Sequence, residues 1–351
     1  MIRLDVVVVG AGASGLAAAR DLSEAGLAVV VLEGRERTGG RIATLRDPSW
    51  PLPIELGAEF IHGRPDEMFG ILEASGLLAV RLLDADRRWI RGAGGWRQET
   101  DVWSKADAIT SRMRDRGPDR SVAGFLEAHP RVSPSRRNLL LSLVEGYHAA
   151  SADRLSERSI STRGAQAENR DQFRVLNGYD RVTNWLARSS GPGSVSVRCG
   201  HVVRLIRWDS RSVEIETAAA GLREGFTARH AIVTIPIGVW KAGPEAPGSI
   251  RFEPDLPEKR RALRRIEMGS VVKVVLRFRE QFWLDERPFS AGPREGKAGK
   301  GNAGHGPRLG FLQAGGTSFP TWWSCEPVEA PILTAWAGGP AAIALGSIPG
   351  D

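Results

Sequence analysis

Cysteine is scarce in this sequence, and the two cysteines present form no ligand pattern. The chain has 351 residues and two cysteines, Cys199 and Cys325, neither of which belongs to a Cys-x-x-Cys motif. A disulfide framework and a structural zinc site are therefore both excluded. This sparing use of cysteine fits a reducing compartment, and we predict a cytoplasmic location without bound metal.

Long apolar runs are also missing. Nowhere do about 18 apolar residues follow one another, which is the length that a membrane-spanning helix needs. The first residues, MIRLDVVVVGAG, lack the apolar segment and the small-residue cleavage site of a secretory signal. We therefore expect no membrane association.

Lysine is rare as well: of the 48 basic residues, six are lysines and 42 are arginines. The acidic residues number 41. The arginines are scattered among Asp and Glu rather than gathered with aromatic residues on one segment, which argues against a nucleic-acid partner. The 42% of hydrophobic and 25% of charged residues are typical of a globular protein. The length predicts about two domains.

What the sequence does contain is a glycine-rich turn between two continuous apolar runs, residues 4–9 and 27–32. Runs without alternation indicate strands buried on both faces, as in a parallel sheet covered by helices. Glu33 ends the second run, 18 positions after Gly15. This context is the dinucleotide-binding fingerprint. The predicted contacts with the diphosphate and the ribose come from Gly10, Gly12, Ala13, Ser14, Gly15 and Glu33.

Each of these residue types has a physical reason to stand in this turn. Gly10 permits a tight turn, Gly12 lets the backbone approach a diphosphate, and Gly15 lets helix and strand pack closely. The amides of the helix N-terminus, at Ala13 and Ser14, attract phosphate. Up to this point NAD and FAD are not distinguished.

Two further segments carry a family resemblance: EGRERTGGR at residues 33–41 and IELGAEFIHG at residues 54–63. They resemble the flavin-dependent amine oxidases, the family of monoamine and polyamine oxidases, and the likeness extends over nearly the whole chain. The resemblance implies the cofactor FAD and an α/β fold, with a Rossmann-like FAD-binding domain on a parallel sheet and an inserted α+β substrate domain. The implied boundaries are 1–75 and 170–240 for the FAD domain, and 76–169 and 241–351 for the substrate domain.

The resemblance also implies a second set of cofactor contacts. In the family, the segment matching Gly39-Gly40-Arg41 approaches the flavin diphosphate, and the one matching Gly57-Ala58 passes beside the isoalloxazine ring. A valine backbone on the strand at residues 201–206 contacts the adenine, and Val203 is the best match. An arginine fork suits phosphate oxygens. The contacts implied in this way are Gly34, Arg35, Gly39, Gly40, Arg41, Gly57, Ala58, Glu59 and Val203.

Two residues are candidates for catalysis. The period of two in residues 271–278 places Lys273 on one face with valines, where a lysine could act as a base or hold water. The family resemblance implies a lysine here that holds water near flavin N5. His62 matches the histidine that polyamine oxidases of the Ile-His-Gly type place near the substrate. Trp323 and Trp336 match positions of the substrate domain, but the role that we expect for each is ordinary core packing.

The implied reaction is oxidation of an amine, of polyamine or monoamine type, to an imine or aldehyde, with oxygen reduced to hydrogen peroxide. The family pattern continues with a C-terminal Gly-Glu segment that this sequence lacks, so we expect the FAD domain to be without its third segment. The alternatives are a non-catalytic or truncated flavin-binding remnant, or a related L-amino-acid oxidase, protoporphyrinogen oxidase or carotenoid desaturase. The oligomeric state stays open.

The remaining pattern concerns local structure. Residues 66–170 are rich in Arg, Glu, Leu and Ala and are broken at three prolines, which predicts a helical region. Residues 195–217 alternate and predict a hairpin that turns at Asp209 and Ser210.

Overall fold

The computed structural model describes residues 4–82, 88–92, 95–99, 102–166, 171–188, 191–284 and 309–347. The strands are β1 (Leu4–Val9), β2 (Ala28–Leu32), β3 (Thr44–Leu45), β4 (Ile54–Glu55), β5 (Phe60–His62), β6 (Ala79–Leu82), β7 (Arg88–Gly92), β8 (Gly95–Gln98), β9 (Gln172–Val175), β10 (Ser194–Arg198), β11 (Val202–Trp208), β12 (Val213–Ala219), β13 (Leu222–Val233), β14 (Arg251–Glu253), β15 (Val271–Arg277), β16 (Phe311–Gln313), β17 (Thr321–Ser324) and β18 (Ile332–Gly338).

The helices are α1 (Ala13–Glu24), α2 (Asp66–Ser75), α3 (Val102–Thr110), α4 (Val122–Glu127), α5 (Pro134–Ser142), α6 (Glu157–Gln166), α7 (Asp180–Leu186), α8 (Ile237–Trp240), α9 (Pro257–Leu263) and α10 (Pro340–Gly346). A π-helical turn covers Leu143–Tyr147, and a 3-10 turn covers Phe282–Leu284. Within the described residues, no helix is both long and apolar enough to cross a membrane.

The chain forms two compact units. The first unit comprises Met1–Glu59, Asp66–Ala79 and Val175–Met268, and the second comprises Phe60–Pro65, Val80–Arg174 and Gly269–Asp351. Residues 241–268, which the sequence interpretation assigned to the substrate domain, lie in the first unit.

A seven-stranded sheet in the order β10-β2-β1-β13-β12-β11-β14 forms the centre of the first unit. Strands β10, β2, β1 and β13 run parallel, and β12 pairs antiparallel with both β13 and β11. Val7 and Val8 of β1 are completely buried, as continuous apolar strands between covering layers must be. The parallel strands joined through α1 form the Rossmann-like part of a mixed α/β fold, as predicted.

The predicted hairpin is present as β11 and β12. Asp209 closes its turn, because its Oδ1 accepts hydrogen bonds from the amides of Arg211 and Ser212 at 2.7 and 2.8 Å, the local bonding that makes aspartate a turn residue. Residues 194–198 do not extend the hairpin, since β10 pairs in parallel with β2 instead.

In the second unit, a six-stranded sheet has the order β15-β18-β17-β16-β7-β8. The helical prediction for residues 66–170 was wrong for β6, β7 and β8, which lie between residues 79 and 98. Arginine in these segments favours a helix whereas tryptophan favours a strand, so pairing with neighbouring strands decided the conformation. Helices α3 to α6 follow and pack around a separate apolar cluster that includes Phe125 and Leu140.

Candidate functional site

The glycine turn of the first unit brings the end of β1 against the start of α1. Gly10 has φ +104°, and its amide donates a hydrogen bond to the Leu32 carbonyl at 2.8 Å. A Cβ on Gly15 would lie 2.0 Å from the Gly10 carbonyl oxygen. No side chain fits between these two backbones, so both glycines are required by the close approach of helix and strand.

Gly12 differs from its neighbours because it faces open space. Apart from Gly12 itself and its two chain neighbours, no atom of the described residues lies within 4 Å of the position that a Gly12 Cβ would take. Gly12 is also the N-cap of α1, and no side chain caps this helix. Ala13 and Ser14 are exposed, and the first turn carries no acidic residue. The N-terminus of α1 thus offers unpaired amides and a partial positive charge to an anion.

The Glu33 carboxylate is fixed by two backbone amides. Its Oε2 accepts a hydrogen bond from the Ala11 amide at 2.8 Å, and its Oε1 accepts one from the Arg35 amide at 3.0 Å. An ionised carboxylate has about four acceptor positions, so each oxygen retains one for a hydroxyl group. The sequence predicted Glu33 as an acceptor but did not predict that the turn itself would orient it.

The segment after Glu33 folds back onto the glycine turn. Gly12 and Gly39 form a parallel bridge, and the Gly39 amide donates to the Ala11 carbonyl at 2.8 Å. Gly39 and Gly40 have φ of +98° and +58°, a backbone conformation that favours glycine. Gly40 lies close to Gly12, since a Cβ atom on Gly40 would be 3.3 Å from the Gly12 Cα.

Three arginines accompany this segment, in two different situations. The Arg37 guanidinium donates to the carbonyls of Thr38, Gly40 and Ile42, each at 3.0 Å, and Arg35 reaches the Gly40 carbonyl at 3.4 Å. Arg41 is exposed, and no described residue forms a hydrogen bond or ion pair with its guanidinium. Arg37 therefore supports the loop, whereas Arg41 is available for a ligand.

The predicted residues Gly57, Ala58 and Glu59 lie next to Arg41. The Ala58 amide donates to the Arg41 carbonyl at 3.0 Å, and a Cβ on Gly57 would lie 2.0 Å from the same oxygen. Ala58 is exposed and Glu59 is half-buried. The glycine here again permits contact between two backbones.

Val203 is buried in β11, beside a break in the ladder. It pairs with Thr217 of β12, and the register then shifts between Val203 and Leu205. Bulges of this kind are common next to functional sites. The Cβ position of Gly34 lies 3.7 Å from Val202, and the His201 amide donates to the Glu33 carbonyl at 2.9 Å. The Val203 strand thus borders the Glu33 side of the turn.

We call the group of predicted cofactor contacts in the first unit the cradle. Its members are Gly10, Gly12, Ala13, Ser14, Gly15, Glu33, Gly34, Arg35, Gly39, Gly40, Arg41, Gly57, Ala58, Glu59 and Val203.

Lys273 lies in the second unit, on β15. It is directly opposite Trp336 of β18, which is opposite Thr321 of β17, so the three side chains share one face of the sheet. The Lys273 Nζ stands 5.7 Å from the ring centroid of Trp323 on the same face. Val271 and Val275 were expected to surround this lysine, but Val271 is 49% exposed, and the structure places an indole near the ammonium group.

Aromatic rings cluster on this face. Trp323 lies 5.4 Å from Phe60 and 6.1 Å from Trp336 between centroids. His62 belongs to the same group, at 6.2 Å from Phe60 and 5.2 Å from Tyr147. We call Phe60, His62, Tyr147, Trp323 and Trp336 the ring cluster.

Crowding affects the imidazole of His62. Burial lowers its pKa below the usual value, because removing water disfavours the charged form. The residue as a whole is nevertheless exposed to solvent, which limits this effect. The neutral imidazole is therefore the favoured form near neutral pH.

The π-helical turn holds Tyr147 in this cluster. The Trp336 indole Nε1 donates to the Gly146 carbonyl at 2.8 Å. Cβ positions of Gly269 and Gly338 would lie 2.1 Å from the Ala149 carbonyl oxygen and 2.4 Å from the Glu145 carbonyl oxygen. The turn thus packs closely against the segments that contain Gly269 and Gly338, at the ends of β15 and β18. π-Helical turns are frequent at functional sites.

Comparisons with known proteins identify the family. The model of the flavin-containing amine oxidoreductases matches residues 13–349 of the chain. The chain belongs to this family. This is the family that the sequence predicted, and the flavin of the family agrees with the predicted cofactor FAD.

Several plant enzymes are similar in sequence. Polyamine oxidase 3 of Oryza sativa subsp. japonica is 30% identical over 311 residues, which cover 79% of this chain and 60% of that protein. Probable polyamine oxidase 4 of Arabidopsis thaliana is 28% identical over 319 residues, which cover 80% of this chain and 59% of that protein. The chain thus spans about 60% of the length of these relatives.

Among solved structures, wild-type putrescine oxidase bound to putrescine matches with a TM-score of 0.75 and 20% identity. The match covers 99% of this chain and 78% of the other. At this identity the likeness concerns the fold, which is that of the family.

FAD fits the cradle on three observations. The space over Gly12 is open, the N-terminus of α1 is uncapped, and Glu33 retains acceptor positions. Arg41 adds a guanidinium that is not engaged within the described residues. These groups would hold a diphosphate and a ribose without any change in the fold.

Sequence reasoning missed Thr234, whose side chain forms hydrogen bonds with the glycine turn. Its Oγ1 donates to the carbonyls of Val9 and Gly10, at 3.0 and 3.1 Å. Cβ atoms on Gly10 and Gly15 would lie 2.9 and 2.8 Å from this oxygen. A single threonine after a predicted strand gives no local signal of such a contact.

Glu145 was missed as well. It lies in the π-helical turn, two residues before Tyr147, and burial raises the pKa of its carboxyl group. No described residue forms a hydrogen bond or an ion pair with its side chain. Only the contact of this turn with β18 shows that the residue belongs near the ring cluster.

Proposed function

We propose that this protein is an FAD-dependent amine oxidase, which converts a polyamine or monoamine to an imine and then an aldehyde, with release of hydrogen peroxide. The observation that supports it most is the cradle: an open, uncapped helix N-terminus beside an oriented Glu33 carboxylate, in a chain of this family. FAD, when bound, supplies the two-electron acceptor for the carbon alpha to the amine nitrogen and the route to oxygen.

The proposed roles of the cradle residues follow from their donors and acceptors. The amides of Ala13 and Ser14 and the Arg41 guanidinium bind the diphosphate, whereas the Glu33 carboxylate accepts hydrogen bonds from the ribose. The Val203 backbone is proposed to contact the adenine. Gly57 and Ala58 are proposed to border the flavin ring.

The proposed roles in the second unit concern the amine. The rings present π-faces, which attract a cationic amine. His62 is favoured as neutral, so it could accept a hydrogen bond from the amine. The Glu145 carboxylate supplies the negative charge for a second ammonium group, since pairing would offset the cost of its burial.

The decisive experiment is to load the purified protein with FAD and add amines without oxygen. We expect a yellow protein that spermidine or putrescine bleaches and that L-amino acids do not, with peroxide formed when oxygen is readmitted. A yellow protein that no amine bleaches would identify a non-catalytic flavin-binding protein. A folded protein that stays colourless in excess FAD would contradict the proposal altogether.

Lys273 is proposed to hold water for the reaction with oxygen. Lys273→Met should slow reoxidation of the reduced, FAD-loaded protein in stopped-flow measurements by at least about tenfold. Lys259→Met, at an exposed position of α9, is the matched control. Equal reoxidation rates in the Lys273 variant and the parent would exclude this role.

A cytoplasmic location remains a prediction.

A further inference from the structure

The first unit carries a second concave site, which lies outside the cradle. It encloses a volume of about 360 Å³ and is lined by Arg46, Ser75, Leu77, Arg181, Asn184, Trp185 and Arg188. Four of these residues come from α7 and the turn after it, at the helical spacing that puts them on one face. We call this site the arginine groove.

The groove is strongly cationic. Three of its lining residues are arginines and none is acidic. Asp180 compensates Arg46, with its two carboxylate oxygens 2.9 and 2.6 Å from the guanidinium. The Arg181 guanidinium donates to the Asn177 carbonyl, at 3.1 Å. No described acidic residue pairs with Arg181 or Arg188, so two positive charges face the groove uncompensated.

The groove also has a fixed apolar wall. The Arg20 guanidinium stacks on the Trp185 ring at 3.7 Å and donates to the carbonyl of Trp185 at 3.1 Å. An ion pair with Glu24 at 2.9 Å holds Arg20 in turn. Trp185 is therefore held by a network rather than left to rotate, and Leu77 is the second apolar residue that lines the groove.

The two faces of α7 have different neighbours. Val182, Thr183 and Leu186 are buried, and Thr183 Oγ1 lies 3.6 Å from the Cβ position of Gly39 in the cradle. The arginines lie on the opposite, exposed face. None of the predicted FAD contacts lines the groove.

We propose that the arginine groove binds a small phosphomonoester whose phosphate is attached to a planar apolar group. Guanidinium forks match phosphate oxygens in geometry, and a phosphate dianion balances the two uncompensated charges. Asn184 adds an amide donor at the same face, while Trp185 and Leu77 contact the apolar group. The volume lies at the lower end of small-molecule sites, which run from roughly 300 to 1,000 Å³.

Calorimetry on the FAD-loaded protein tests this site, with phenyl phosphate and inorganic phosphate as probes. Prior loading fills the cradle, so phosphate cannot bind there. We expect saturable one-to-one binding of phenyl phosphate, at least tenfold tighter than that of inorganic phosphate. Equal affinity for the two probes would overturn the apolar part of the proposal, and the absence of saturable binding would overturn all of it.

Variants assign the binding to the groove. The double variant Arg181→Gln/Arg188→Gln should weaken phenyl phosphate binding at least tenfold. Arg211→Gln, at an exposed arginine of the β11–β12 turn, should leave the affinity unchanged. Undiminished binding by the double variant would contradict the assignment. FAD content and thermal unfolding of each variant separate a loss of this site from a loss of the fold or of the proposed oxidase function.

Discussion

The two units use different parts of the chain to build their candidate sites. In the first unit the cradle is made of backbone: glycines at Gly10, Gly12 and Gly15 let amides and carbonyls come together. In the second unit the ring cluster is made of side chains from separated strands, including Trp323 and Trp336. A backbone site leaves a short motif in the sequence, whereas a side-chain site depends on strand register. The following predictions test this difference.

The largest effect is expected at Gly15. In Gly15→Ala the new methyl group would lie 2.0 Å from the Gly10 carbonyl oxygen, and neither backbone can move without breaking the turn. We expect a loss of about 3 kcal/mol or more in the free energy of unfolding, with FAD binding abolished. Urea unfolding and flavin content measure the two effects.

Gly70 provides the matched control, since it lies inside α2 and no atom is within 4 Å of its Cβ position. Gly70→Ala should stabilise the protein by up to about 1 kcal/mol. If both substitutions changed the free energy of unfolding equally, the fold would not depend on the close contact between Gly15 and the Gly10 carbonyl.

A smaller but more specific effect is expected at Glu33. In Glu33→Ala the ribose acceptor is lost, and the buried Ala11 amide loses its own acceptor. We expect FAD affinity to fall about 100-fold, and stability to fall by about 1–3 kcal/mol. FAD fluorescence titration and urea unfolding separate these effects. Glu36→Ala, at an exposed position, should change neither, and undiminished flavin retention by the Glu33 variant after gel filtration would refute the ribose assignment.

In the second unit, two tryptophans form a matched pair. Trp336 donates to the Gly146 carbonyl at 2.8 Å and Trp322 donates to the Phe319 carbonyl at 2.7 Å, but Trp322 is on the opposite face of the sheet. Each Trp→Phe substitution should cost about 1 kcal/mol. Only Trp336→Phe should also raise the KM for an amine. An equal change in KM for both variants would show that the ring cluster has no specific role in substrate binding.

The smallest effect concerns pH. Because burial lowers the pKa of His62 in the folded protein, its imidazole binds a proton less readily there than in the unfolded chain. Its contribution to stability is therefore present above about pH 6.5 and is lost as the pH falls through the folded pKa. Since His62 is exposed, solvent screens the charged imidazole, and we expect this contribution to the free energy of unfolding to be small. His62→Gln should remove this part of the pH dependence in urea unfolding, and an unchanged profile would show that another group titrates.

Prediction from sequence succeeded where chemistry is local. The turn from Gly10 to Gly15, the parallel strands around it and the hairpin closed by Asp209 all follow from residue types at fixed spacing. It failed for β6 to β8: β6 and β7 lie beside strands distant in the chain, β9 and β16, and the local pairing of β7 with β8 was missed as well. It also missed Thr234 and Glu145, because a hydroxyl below a turn and a carboxylate on a π-helical turn have no neighbouring motif.

The amino-acid sequence by itself determined that a dinucleotide-type turn exists, since only glycine lacks the Cβ atom that would collide with the facing backbone in this turn. It also determined the family, through motifs that are continuous in the chain. Tertiary structure alone decided that Trp336 and Lys273 share a face, that Glu33 is oriented by the Ala11 amide, and that Arg46, Arg181 and Arg188 line one groove. These facts depend on pairing and packing between segments far apart in sequence, which no local pattern encodes.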